Sequence, residues 1–185
     1  FIETSGKETL GVQTGFVNAS APLGKFGDWL LDPALIVIAA GGLDTVAAGS
    51  APNCGDAAML TIDPATLDAA AASISLCAQN APGSSITVTD AIALTTVGAS
   101  LTLTAGSGSA GPINLNANIT TAGGAVTLTG LVTLGATVAI DTTNGGATPA
   151  GAGVTFSNAI DGAQGLSVVV GPAFGTTFTG AIGGP

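Results

Sequence analysis

Leu101-Thr-Leu-Thr-Ala105, Ile113-Asn-Leu115, Val126-Thr-Leu-Thr129, Val138-Ala-Ile140 and Val154-Thr-Phe156 are five short runs of one kind. In each, large apolar residues alternate with small or polar ones. Alternation with a period of two marks a strand that buries one face. The pattern extends outward to Ile86-Thr-Val88 on one side and Leu166-Ser-Val168 on the other. The seven starts, at 86, 101, 113, 126, 138, 154 and 166, lie 12 to 16 residues apart. Weaker pairs fall between some of them, at Ile92-Ala-Leu94 and Val132-Thr-Leu134. Recurrence at a near-fixed interval signals an array, and two successive intervals, about 25 residues, make one coil.

Two all-β architectures have strands at such spacing. A β-sandwich spaces them about 8–12 residues apart, but it uses hairpin turns and aromatic core residues. Here only Asn144-Gly145 has the form of a hairpin turn, and six Phe and one Trp are all the aromatics in the chain. A parallel β-helix (β-solenoid) fits better, with aliphatics lining the inside and small residues at the corners. One helical excursion is expected near residues 63–72. Asp63 is its N-cap, Pro64 its first position and the alanines its body.

The expected organisation is one solenoid segment over residues 1–185 in three zones. Residues 1–42 alternate apolar runs with turns. Residues 43–83 hold both cysteines and the helix. Residues 84–185 are the regular Thr/Gly/Ala-rich coils.

Composition excludes several functions. The chain has 185 residues and a net charge of −9, with Lys7 and Lys25 its only cations. Nucleic-acid binding needs clustered cations, so it is not expected. Without His there is no Ser-His-Asp triad, no Cys-His pair and no His-containing zinc site. A hydrophobic content of 46% and a mean hydropathy of +0.64 argue against disorder. The most apolar stretch, Trp29 to Ala40, is interrupted by Asp32 and Pro33 and falls short of the ~20 residues of a membrane span. The chain opens at Phe1 in mid-pattern, and the expectation is an internal or processed fragment whose targeting signals would lie outside it.

Two segments are more specific. Phe1-Ile2-Glu3-Thr4-Ser5-Gly6 is followed by Gly27-Asp28-Trp29-Leu30-Leu31-Asp32-Pro33-Ala34-Leu35-Ile36-Val37-Ile38. Together they resemble the signature of filamentous-haemagglutinin-like exoproteins, which include the high-molecular-weight adhesins of two-partner secretion. Ile62-Asp-Pro-Ala-Thr-Leu67 and Ser85-Ile-Thr-Val-Thr-Asp-Ala-Ile92 are similar to the usual continuation. The resemblance covers residues 1–95 by motif and the rest by texture. It implies a right-handed parallel β-helix in the medium or on a bacterial cell surface. The chain departs from the family in lacking the N-terminal secretion domain and in its low charge.

The remaining candidate residues follow from this frame. Cys54 and Cys77 bracket the helix, and in an exported chain they are candidates for a disulfide. Trp29 reads as a core or cap residue, and Asp32-Pro33 as a turn. Asn18-Ala-Ser20 and Asn118-Ile-Thr120 are glycosylation sequons. The eleven acids are scattered, with no Asp-x-Asp pair for acid/base work, so no catalytic residue and no cofactor is assigned. Asp28, Asp32 and Asp44 form the one set considered for weak Ca²⁺ binding. Thr-x-Thr recurs at Thr87/Thr89, Thr102/Thr104 and Thr127/Thr129, a pattern suited to ice binding if it stacks on one face. Read in sequence, that ladder breaks at Asn114/Asn116 and at Ala139/Asp141, and threonine as a good strand former is the simpler reading.

The expected function is a non-enzymatic, secreted or cell-surface solenoid. It builds an extracellular rod or filament, with other copies of itself as partner through end-to-end or lateral packing. The main alternative is an adhesin passenger that binds cell-surface receptors or glycans through its loops. An ice-binding solenoid is the distant third.

Overall fold

A computed structural model describes residues 2–4, 17–21, 25–33, 35–46, 59–79, 83–106 and 111–183. The chain order opens with β1 (Ile2–Thr4), β2 (Asp28–Leu31), β3 (Leu35–Ile38), β4 (Thr45–Val46), β5 (Met59–Ile62) and α1 (Pro64–Asp68). There follow β6 (Ser73–Ala78), β7 (Ser85–Val88), β8 (Ile92–Leu94), β9 (Leu101–Ala105), β10 (Pro112–Leu115) and β11 (Ile119–Thr121). The last are β12 (Val126–Thr129), β13 (Leu131–Leu134), β14 (Val138–Asp141), β15 (Val154–Phe156), β16 (Ile160–Asp161), β17 (Leu166–Val169) and β18 (Thr176–Phe178). No helix among the described residues is long and apolar enough to cross a membrane.

The strands form three sheets. The first has the order β1-β2-β6-β9-β12-β15-β18, the second β16-β13-β10-β7-β3-β5-β4, and the third β17-β14-β11-β8. Among the described residues every strand pairing is parallel except that of β4 with β5, and the isolated bridge from Ala122 to Thr143 is antiparallel. From β6 onward the chain visits the first, second and third sheets in strict rotation. It returns to the first sheet from Ile74 to Leu101, Val126, Val154 and Thr176, steps of 27, 25, 28 and 22 residues. The fold is thus all-β with parallel sheets, and this rotation is compatible with a parallel β-helix.

The interval of about 25 residues per circuit was legible, but the number of strands was not. Each circuit holds three strands, and the weaker pairs Ile92-Ala-Leu94 and Val132-Thr-Leu134 are full strands, β8 and β13. The helix also differs from expectation. It ends at Asp68 rather than at Ala72, because Ala71 pairs with Asn18 in a β-bridge and Ala72 enters the core. Tertiary pairing here overrides the high helix propensity of alanine.

The insertion does not flank the stack. β5 follows β3 in sequence but pairs on the side of β3 opposite β7, with Leu60 beside Ile36 and Ile62 beside Ile38. α1 packs against β8, at the end of the third sheet. Leu60, Ile62 and Leu67 are all at 0% exposure, so both elements extend the core.

Inward residues stack in files along the sheets. Leu31, Leu76, Leu103, Leu128 and Phe156 form one file in the first sheet, each at 0% exposure. Leu60, Ile36, Ile86, Ile113, Val132 and Ile160 form another in the second sheet. Burying one such aliphatic side chain contributes roughly 1.5–3 kcal/mol. Buried hydroxyls are satisfied internally, as polar groups in a core must be. Thr121 donates to the Gly124 carbonyl, and Thr142 to the Ala152 carbonyl at 2.7 Å.

Candidate functional surfaces

The two family-like segments meet in the structure. Ile2, Glu3 and Thr4 of β1 pair with Trp29, Leu30 and Leu31 of β2. Trp29 is 1% exposed and stacks between Ile2 and Ile74, so it is a core residue. Asp32 and the buried Pro33 form the corner from β2 to β3. These residues build the stack. Phe1, Ser5 and Gly6 lie outside the described residues.

The described acids act largely as latches on backbone amides. Asp44, held at φ +52°, accepts from the Asp63 N–H at 2.7 Å and from the Thr66 hydroxyl at 2.7 Å. Asp63 caps α1 by accepting from Ala65 N–H at 2.8 Å, and its other oxygen accepts from Gly41 N–H at 2.7 Å. Asp68 holds Thr95 N–H at 2.8 Å, and Asp90 holds Ala40 N–H at 2.9 Å. Asp141 organises the turn after β14, accepting from the Thr143 amide and hydroxyl and from Gly145 N–H. Partial burial pushes the Asp141 carboxyl up. Hydrogen bonds from the Thr143 hydroxyl, the Thr143 amide and the Gly145 amide outweigh this and hold it below its ordinary value of 3.8.

No three His, Cys, Asp or Glu side chains among the described residues come together as a metal would require. The set Asp28, Asp32 and Asp44 is therefore not assembled: Asp44 serves the α1 cap, and Asp28 stands exposed at the start of β2. Asp28 instead lines an open cavity of about 530 Å³ with Lys25, Phe26, Ser73, Val97 and Ser100. Its two serines are bonded to each other, Ser100 Oγ to Ser73 Oγ at 3.0 Å. Asp28 is the cross-strand neighbour of Ser73, so a carboxylate and two hydroxyls share this concavity.

Cys77 is half-buried at an outward position of β6. Cys54 lies outside the described residues, as do Glu8, Asp56 and Lys7. Asn18 and Asn118 are both exposed. The Asn18 side-chain carbonyl accepts from Ser20 N–H at 3.0 Å, and that of Asn118 from Ala139 N–H at 2.8 Å on the next circuit.

The outer face of the first sheet is the most regular surface, and the reading of the threonine ladder changes there. Thr102 pairs with Thr127, Thr104 with Thr129, Thr127 with Thr155 and Thr155 with Thr177. Ser75 and Cys77 precede them beside Thr102 and Thr104. Thr87 stands on the second sheet, where Asn114 pairs with it and donates to its hydroxyl at 3.3 Å. Ala139 and Asp141 belong to the third sheet. The two interruptions expected from sequence order therefore lie on other faces, and the first-sheet file is unbroken. Successive Thr-x-Thr runs hid this because consecutive strands go to different sheets.

The last circuit shows a different property. On the file that starts at Leu31, Phe178 stacks on Phe156 with ring centroids 5.1 Å apart, yet it is 41% exposed. On the second-sheet file, Ile182 bridges Ile160 and is 61% exposed. No protein-family model, curated protein or solved structure matches the chain.

Proposed function

We propose that this chain is a segment of a secreted or cell-surface bacterial β-solenoid of the filamentous-haemagglutinin type. Its role is mechanical: it builds an extracellular rod or filament and carries out no catalysis. The observation that carries this reading is the continuous parallel stack: Leu31, Leu76, Leu103, Leu128 and Phe156 form one inward file, each at 0% exposure, on backbone-paired strands layer upon layer. A stack of this kind is quasi-one-dimensional and lengthens along its axis by repetition of the same layer. The coil is right-handed, as parallel crossovers within one sheet nearly always are. The motif residues on β1 and β2 support the family resemblance, because they occupy adjacent core strands as a fold signature should.

The cavity at Lys25, Phe26 and Asp28 favours the second reading, an adhesin passenger. It combines an aromatic side chain, both signs of charge and two hydroxyls in one concavity.

Electron microscopy of unfixed protein at neutral pH separates the two. Long unbranched filaments are the expected result. Isolated rods only about 30 Å long, the height of the seven layers at ~4.8 Å each, would remove the filament reading. They would leave the passenger, tested next by binding to cells and glycans.

A further inference from the structure

The hydroxyl-bearing face of the first sheet is set apart from the rest of the surface in two ways. First, its outward positions form a two-file grid. Thr102/Thr104 and Thr127/Thr129 are followed by Thr155 and Thr177, with Ser157 and Thr179 continuing the second file through backbone bonds to Leu128 and Phe156. Secondly, the outward residues from Ser75 onward include no charged and no aromatic side chain. The hydroxyls of Thr102, Thr104, Thr127, Thr129, Thr155 and Thr177 have no hydrogen-bond partner among the described residues, a property shared by Thr133 on the second sheet and Thr120 on the third. Thr87, Thr121 and Thr142 elsewhere have theirs engaged by protein, and so has Thr179, which donates to the Phe156 carbonyl at 3.1 Å.

The geometry points to an ice-binding surface, with ordered water as the ligand and the Thr102–Thr177 file at its centre. Neighbouring strands set the file's repeat at about 4.8 Å. In a tetrahedral water network with O···O about 2.75 Å, second neighbours lie about 4.5 Å apart, within about 0.3 Å of that repeat. Threonine suits the task because its β-branched side chain is stiff at χ1, so hydroxyl and methyl are fixed before water arrives. The methyls favour a cage of water around them, and the hydroxyls anchor that cage. A charged face would bind water too strongly and without lattice order. A crystalline polysaccharide is the other regular ligand for a flat sheet, but its recognition relies on aromatic platforms, which this face lacks.

This inference stands apart from the filament reading, and its test does not depend on assembly. Single ice crystals are grown in the protein solution in a nanolitre osmometer, with recrystallisation measured in parallel. The expected result is faceted crystals and a gap between melting and growth temperatures. Thr127→Tyr, a good strand former in mid-array, removes both effects, whereas Thr133→Tyr on the second sheet keeps them. If Thr127→Tyr alters the circular dichroism spectrum, Thr155→Tyr replaces it as the array variant. Unshaped crystals growing at the buffer's melting point would overturn the proposal. So would full activity in a folded Thr127→Tyr or Thr155→Tyr protein. Binding to insoluble cellulose or chitin with no effect on ice would overturn it in favour of the polysaccharide.

Discussion

Gly124→Ala should destabilise the protein, although the backbone at Gly124 gives no reason for it. Gly124 is buried at the corner before β12, and its φ lies outside the left-handed region. On conformational grounds alone, alanine there would stabilise by about 0.4–1 kcal/mol through the unfolded chain. The stack reverses the sign. A Cβ on Gly124 would overlap the carbonyl of Ala99, one layer away, and lie 2.9 Å from Ser100 N. That layer cannot move aside freely. Gly98 N–H donates to Ala122 O at 2.8 Å and Leu101 N–H to Ala125 O at 2.9 Å, on either side of the contact. Relief requires separating two circuits at this corner, and overpacking of this sort costs about 1–3 kcal/mol. Losing one flanking hydrogen bond adds about 1 kcal/mol. The net expectation is a loss of about 2 kcal/mol, or roughly 4–8 °C in Tm for a chain of this size. Gly175→Ala is the control. It sits at the corner before β18 with nothing within 4 Å of an added Cβ, so its Tm should stay level or rise slightly. Thermal melts followed by circular dichroism read both. A Gly124→Ala protein that melts at or above the parent temperature would refute the close stacking of these circuits.

Three further outcomes are expected. Leu128→Ala removes a side chain packed between Leu103 and Phe156 at 0% exposure and should cost about 3–5 kcal/mol in urea unfolding, while Leu131→Ala, at 43% exposure, should cost well under 1 kcal/mol. Asp63→Ala removes the cap of α1 and the tie to Gly41, and should lower stability by about 1–2 kcal/mol in the same assay. Because the folded Asp141 carboxyl is held below 3.8, its contribution is present above that pH and is lost as pH falls through the lowered value; acid unfolding of Asp141→Asn should lack this component, seen as a shallower loss of Tm below about pH 4.

The sequence carried the inward files well, since Leu101, Leu103, Val126 and Leu128 alternate with threonine and nothing else explains that period. It carried the third sheet poorly. β11, Ile119–Thr121, has one aliphatic, and its second inward position is Thr121, whose hydroxyl is satisfied inside the corner. In the second sheet, β16 is two residues long, too short for any pattern. The place of β5 could not be read, because alternation in Met59-Leu-Thr-Ile62 marks a strand but not which edge of β3 it joins. Alanine propensity over 69–72 suggested helix, whereas the pairing of Ala71 with Asn18 decided otherwise. The hydroxyl grid was hidden for a related reason: which threonines share a face depends on the three-sheet rotation, and two strands per coil had been expected.

The rotation itself is the central claim, and one distance tests it most directly. Ser75 and Thr177 are 102 residues apart in sequence but stand on one file, four layers apart through Thr102, Thr127 and Thr155. With Cys54 and Cys77 replaced by serine, nitroxide labels at Ser75→Cys and Thr177→Cys can be measured by double electron–electron resonance. Stacked parallel circuits predict one narrow distribution centred at about 19 Å, four steps of ~4.8 Å. A broad distribution, or a peak beyond about 30 Å, which exceeds the height of the whole stack, would contradict it.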